Sequence, residues 1–100
     1  NKMIHYLYAM EINEQFDNLR NELNKTKTWP IVYMFKFIIP ADNKKQALVE
    51  SKFSDESVIT KKESANGKYL SITIKEVMLD ADSIINKYLE MQEIDGLISL

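Results

Sequence analysis

From Tyr33 to Leu100 the spacing of apolar residues changes in a fixed order, and that order leaves few folds open. Tyr33, Phe35, Phe37 and Ile39 alternate with Met34, Lys36 and Ile38. A two-residue repeat puts the two sets on opposite faces of a strand. Pro40 closes that strand, and Asp42 then caps a helical run to about residue 53, with Val49 and Phe53 four apart and Leu48 beside them. A second strand is expected over residues 57–63, rich in lysine as suits an exposed sheet edge. A third is expected over 68–77, where Leu70, Ile72 and Ile74 face one way and Tyr69, Ser71, Thr73 and Lys75 the other. Asn66-Gly67 between them predicts a two-residue hairpin with positive φ at both turn positions. Asp80 caps a second helix, whose stripe is Ile84, Ile85, Tyr88 and Leu89. Gly96 opens a last strand over 97–100.

The series reads strand-helix-strand-strand-helix-strand. Two crossover helices on one face of an antiparallel sheet make a two-layer α+β sandwich. Right-handed crossovers favour the ferredoxin-like order of a four-stranded antiparallel sheet, with the first and third strands central. The clean alternation in the third strand implies one buried face and one open face.

Upstream, residues 11–23 read as an amphipathic helix. Phe16, Leu19 and Leu23 form a narrow stripe opposite Glu14, Asp17, Asn21 and Glu22, with Asn13 as the expected N-cap. A stripe this narrow must dock to be stable. The domain is therefore expected over 28–100, behind a helix and connector over 10–27. Pro30 keeps Trp29 out of helical geometry, and Trp29 is expected to pack where the first helix meets the sheet. Residues 1–9 form an extension that fits a strand by Ile4, Tyr6 and Tyr8, and a helix by Met3, Ile4, Leu7 and Tyr8. Met10 is a candidate start. The mildly apolar stretch from Met3 to Met10 runs into Glu11 without a small-residue cleavage site, which speaks against a signal peptide.

Composition narrows function by exclusion. The 100 residues suffice for one domain, and 45% apolar content is ordinary for a globular chain. The absence of cysteine rules out disulfides and thiolate chemistry. It also fits a reducing compartment. The net charge of −2 and a single arginine, Arg20, argue against nucleic acid, whose phosphates reward a basic surplus. No apolar run approaches the roughly 20 residues of a membrane helix, so no membrane role is expected.

The order Trp29-Pro30, then Tyr33 through Phe35-Lys36-Phe37 to Pro40, resembles a known pattern. Ser64, Asn66-Gly67, Tyr69, Ser71 and Thr73 continue it, and Asp95-Gly96-Leu97-Ile98-Ser99-Leu100 ends it. Over residues 10–100 the chain resembles the small bacterial YbeD-like family, a domain of unknown function. That resemblance implies a ferredoxin-like domain similar to regulatory ACT domains, in a cytoplasmic bacterial protein. It carries over no catalytic residue. ACT-like ligand sites often use a glycine-containing loop after the first strand, at a subunit interface. Here that loop is Pro40-Ala41-Asp42-Asn43, which departs from the pattern and weakens an amino-acid-binding reading.

Among candidate chemical groups, His5 stands alone without metal-ligand spacing. Asp80 and Asp82 suit helix capping better than cation binding. Lys61, Lys62 and Lys68 near the hairpin suit edge protection, or an acidic partner. The best candidate is the open sheet face, where Lys36, Tyr69, Ser71, Thr73 and Lys75 could hold a small anionic metabolite. The competing expectation is that the first helix covers this face, packing Phe16, Leu19 and Leu23 on Met34 and Ile38, or that a second subunit does so as a homodimer. RNA-binding sheets of this topology stack bases on two or three aromatics, and the third strand offers one, Tyr69. No nucleophile, acid-base pair, metal site or cofactor site is marked. The expected function is thus a non-enzymatic regulatory or ligand-sensing domain. The alternative is a protein-interaction adaptor that uses the first helix and the lysine-rich hairpin.

Overall fold

The computed structural model describes residues 14–26 and 28–100. The extension over 1–9, with His5, and the expected cap Asn13 lie outside the described residues. The elements run α1 (Asp17–Thr26), β1 (Ile31–Pro40), α2 (Asn43–Ser51), β2 (Val58–Glu63), β3 (Tyr69–Met78), α3 (Ala81–Met91) and β4 (Ile98–Ser99). The sheet has four strands in the order β2-β3-β1-β4, and every neighbouring pair is antiparallel. The described architecture is thus α+β, with β1 and β3 at the centre of the sheet.

Alternation sets which side chains go inside. Phe35, Phe37 and Ile39 of β1 and Leu70, Ile72 and Ile74 of β3 are all buried. Phe35 pairs with Ile74 and Phe37 with Ile72 across the strands, so these side chains form one continuous apolar floor. Val49 and Phe53 descend on it from α2 and its C-terminal turn. Ile84, Tyr88 and Met91 descend from α3. Phe35 and Phe37 touch both helical elements: the Phe53 ring lies 5.3 Å from Phe35 and 6.3 Å from Phe37, and Tyr88 stands at the same two distances. Burying a phenylalanine contributes about 2–3 kcal/mol, and geometrically suited aromatic pairs add about 0.5–1.5 kcal/mol each.

The helix ends follow their sequence signals. The Asp42 carboxylate accepts the Lys44 N–H at 2.7 Å and the Lys45 N–H at 3.3 Å, capping α2. Asp80 accepts both the N–H and the hydroxyl of Ser83, at 2.7 and 2.6 Å, capping α3. Those bonds hold the Asp80 carboxyl below the ordinary carboxylate range. Such a group adds stability above its unfolded value of about 3.9, and that stability is lost as pH falls toward the folded value. Asparagine caps equally well but does not titrate there. We therefore expect the wild type to lose more melting temperature between neutral pH and about pH 3 than Asp80→Asn does. Equal losses in thermal melts would remove Asp80 from the acid response. At the far end of α2, the Lys87 ammonium donates to the Lys52 carbonyl and sits 4.8 Å above the Phe53 ring. A cation there answers the partial negative charge of the helix end.

Three sequence expectations require correction. The first helix runs to Thr26, past the expected end at 23. The expected two-residue hairpin is a longer turn. Positive φ occurs at Gly67, and at no residue other than glycine among those described, so Asn66 does not adopt it. The turn is closed by the Gly67 N–H on the Ser64 carbonyl at 2.9 Å, and the Asn66 side chain accepts the Lys68 N–H at 3.0 Å. Asparagine thus supplies a side-chain acceptor where it was expected to supply a left-handed backbone.

The third correction matters most for function. Helix α1 does not lie on the open sheet face. Its Leu23 is buried in the same core as Phe35, and Phe16 stacks on Tyr88 of α3 with ring centres 5.6 Å apart. Arg20 bridges Asp17 and Asp82, both at 2.8 Å. The stripe goes where it removes most apolar surface from water. The flank of α3 offers an aromatic ring and a gap into the core, whereas the outer face presents Lys36 between Met34 and Ile38. Trp29, at the foot of α1, is half-buried against the core as expected.

Between the layers, the Tyr33 and Tyr88 hydroxyls bond at 2.8 Å. Burial and this bond raise the Tyr88 pKa above its ordinary value. Tyr33→Phe leaves the Tyr88 hydroxyl half-enclosed without its partner, and should cost about 1 kcal/mol by chemical denaturation.

Candidate functional site

With α1 placed in the helical layer, the outer face of the sheet is bare among the described residues. Strand parity and register define its rows. Val77 of β3 lies opposite Val32 of β1. The next row reads Val58, Lys75, Met34 from β2 to β1, and the next Thr60, Thr73, Lys36. Leu100 joins that row by donating its N–H to the Lys36 carbonyl at 2.9 Å. The fourth row reads Lys62, Ser71, Ile38, Ile98. Tyr69, opposite Pro40, ends the sheet.

The five residues singled out from the sequence, Lys36, Tyr69, Ser71, Thr73 and Lys75, therefore do share this face. Lys36 and Thr73 are direct cross-strand partners, close enough for their Cβ atoms to lie about 5 Å apart. Lys75 is the diagonal neighbour of Lys36. Tyr69 sits two rows from Lys36 and three from Lys75, and is marginal to both. Sequence reasoning placed Met34 and Ile38 on the face but missed the rest of its apolar share. Val32 is 65% exposed, Met34 46%, Val77 60% and Leu100 69%, and Val58 and Ile98 are also more than half exposed. The signal was present in the same alternation, but Val32, Val58 and Val77 lie at strand ends, where parity was not followed through.

Two apolar patches result. Val32, Met34, Val58 and Val77 make one, and Ile38, Ile98 and Leu100 the other. Lys36 and the threonines lie in the row between them, and Lys75 lies within the first patch, between Val58 and Met34. Among the described residues the strands place no aspartate or glutamate on this face: Glu63 and Glu76 pair with Leu70 and Tyr33 on the inner side. Among the described residues, Lys36, Lys62 and Lys75 form no ion pair. Scattered surface apolar groups are ordinary, but contiguous ones rimmed by polar groups mark interaction sites.

Neither of two cavities among the described residues is lined by Lys36, Ser71 or Thr73. These two cavities, of about 360 and 330 Å³, lie at the far end of the sheet and share Glu76 and Val77. Two of the charged groups there are already engaged, Glu76 by the Ser54 N–H at 2.6 Å and Lys87 by the Lys52 carbonyl. Small-molecule sites are typically enclosed pockets with a few free polar groups, and neither cavity combines the two.

The other candidates resolve into structure. Asp80 is a cap and Asp82 an ion-pair partner. Lys61 reaches Glu50 at 3.1 Å on the inner side of the edge strand. The stripe of α1 is largely occupied by α3 and the core. Among the described residues no group of three or more histidines, aspartates or glutamates is placed to hold a metal, and no helix is long and apolar enough to cross a membrane. Compared with protein-family models, curated proteins and solved structures, the chain matches none of the three.

Proposed function

We propose that this domain is a non-enzymatic binding module, of regulatory or adaptor type, that works through its open sheet face. One observation carries the reading: a rigid sheet presents two apolar patches, and lysines with no ion pair among the described residues, while the amphipathic α1 packs elsewhere. An exposed surface of this kind gains free energy when a partner removes it from water. Neither cavity reaches Lys36, Ser71 or Thr73, which favours a macromolecular partner over an enclosed anionic metabolite. The strand order, with β1 and β3 central, supports a ferredoxin-like assignment. The motif resemblance to the YbeD-like family points the same way, to a small cytoplasmic regulatory domain, by analogy of fold. The adaptor reading that relied on α1 loses support, because Phe16 and Leu23 are already engaged.

The test compares partner retention by the wild type, Val32→Asp/Val77→Asp and Glu93→Lys in lysate of the source cells. Both valines are exposed, but they are direct cross-strand partners, so a thermal melt of the double variant must show it folded before its retention is compared. The double variant should lose a partner that the wild type and the Glu93 variant hold. Identical retention by all three proteins would remove the sheet face from the function.

A further inference from the structure

The charge pattern of the open face selects among possible occupants. We propose that it receives an acidic amphipathic helix from another protein, with carboxylates meeting Lys36 and Lys75 and apolar side chains meeting the two flanking patches. This rests on reading the sheet face as the binding surface.

A second copy stacked face to face would set Lys36, Lys62 and Lys75 against the same trio, with no Asp or Glu from the described strands on either sheet face to answer them. Like charges brought together at an interface oppose association. Single-stranded nucleic acid would need stacking platforms, and the face offers only Tyr69, at its margin. An anionic membrane is usually held by clusters of four to eight basic residues or by deeply inserting aromatic groups. Here there are three lysines among valine, methionine, isoleucine and leucine. An acidic helix answers every feature at once, since its carboxylates neutralise the lysines and its apolar stripe covers the patches.

The spacing suits such a helix laid along β1. Met34 and Ile38 are four residues apart on a strand, about 13 Å, and Lys36 lies midway. In a helix, positions i, i+4 and i+8 share one face and span about 12 Å. An apolar residue at i therefore meets Met34 and the valines, a glutamate at i+4 meets Lys36, and an apolar residue at i+8 meets Ile38 and Ile98. Lys75, beside Met34 on β3, accepts a second carboxylate one turn away.

The probe is a labelled helical peptide of about 16 residues, with leucine at i and i+8 and glutamate at i+4 and flanking positions. Its partner is the full chain. A second peptide carries lysine in place of every glutamate. Anisotropy titration should show the acidic peptide binding, about tenfold more weakly at high salt, where screening is strong. Lys36→Glu/Lys75→Glu should weaken it about tenfold or more and should instead bind the lysine peptide. Amide shifts should map to β1 and β3. Equal binding of both peptides to the wild type would overturn the charge inference and leave the binding-face reading standing. Binding to phosphatidylserine vesicles without peptide binding would make the occupant a membrane. A dimer in sedimentation that Val77→Asp dissociates would make it a second copy. Contacts from residues 1–13 to Met34 and Val77, seen by NMR in the full chain without any ligand, would sink both readings.

Discussion

Phe35→Ala should lower the stability of the domain by about 4 kcal/mol, within the range of about 3–5 kcal/mol for deleting a buried ring. Phe35 is fully buried on the central strand β1. Its ring contacts Tyr33, Phe37, Phe53 and Tyr88 at centroid distances from 4.8 to 6.1 Å. These neighbours come from β1 itself, the turn after α2, and α3. They cannot all collapse into the void, because each is fixed by its own strand or helix. A domain stable by about 5–15 kcal/mol would lose a large part of that margin. Denaturant melts of the wild type and the variant measure the difference. A loss under about 1 kcal/mol would mean that Phe35 is not at the centre of the core. By contrast Val32→Ala, three residues away on the outer face, should change stability by less than about 0.5 kcal/mol.

That contrast shows how much of the fold the amino-acid sequence carries. Alternation alone separates Phe35 from Val32, because a strand side chain has only two directions available. Phe35, Phe37, Leu70, Ile72 and Ile74 are legible as one buried set for this reason, and Asp42 and Asp80 as caps because short carboxylates satisfy free N–H groups. The docking of α1 is not legible. Its stripe of Phe16, Leu19 and Leu23 declares that a surface must be covered, but not which one. The choice was made by the flank of α3, a surface that exists only after the sheet and helices have assembled. Part of the core was hidden for the same reason. Ala81 and Met91 are buried and continue the spacing of Ile84 and Tyr88, but at the first and last residues of the helix, and Ile94 is buried in a turn beyond it, where periodicity gives little signal.

The open face was half legible. Lys36, Thr73 and Lys75 follow from parity on single strands, which needs no knowledge of pairing. The two apolar patches needed the register. Val77 meets Val32, and Ile98 meets Ile38, only once β1 lies between β3 and β4. Absence of strand carboxylates from the face is likewise a property of four strands together, not of any one segment.

The register at β4 depends on a glycine, and Gly96→Ala should cost about 3 kcal/mol, combining left-handed backbone strain with steric overlap. Gly96 has φ +78°, and a Cβ there would stand 2.9 Å from Cγ and 3.2 Å from Cδ of Pro40. Pro40 is the last residue of β1 and its ring has little freedom, so the two chains would have to separate. Gly67 provides the control. Its φ is +71°, but no atom lies within 4 Å of where a Cβ would be, so Gly67→Ala should cost only the strain, about 1–2 kcal/mol. The larger loss at Gly96 should also be local. Separation of Gly96 from Pro40 pulls on β4, which pairs with β1 only at Phe37 and Ile38 and through the Leu100 N–H. Amide exchange at Leu100 should therefore quicken in Gly96→Ala before the Phe35 region is affected. The same release would displace Ile98 and Leu100, and with them one of the two patches that the proposed partner helix covers. Peptide binding should weaken in Gly96→Ala and persist in Gly67→Ala. Equal costs for the two substitutions would show that backbone strain, rather than contact with Pro40, governs this end of the sheet.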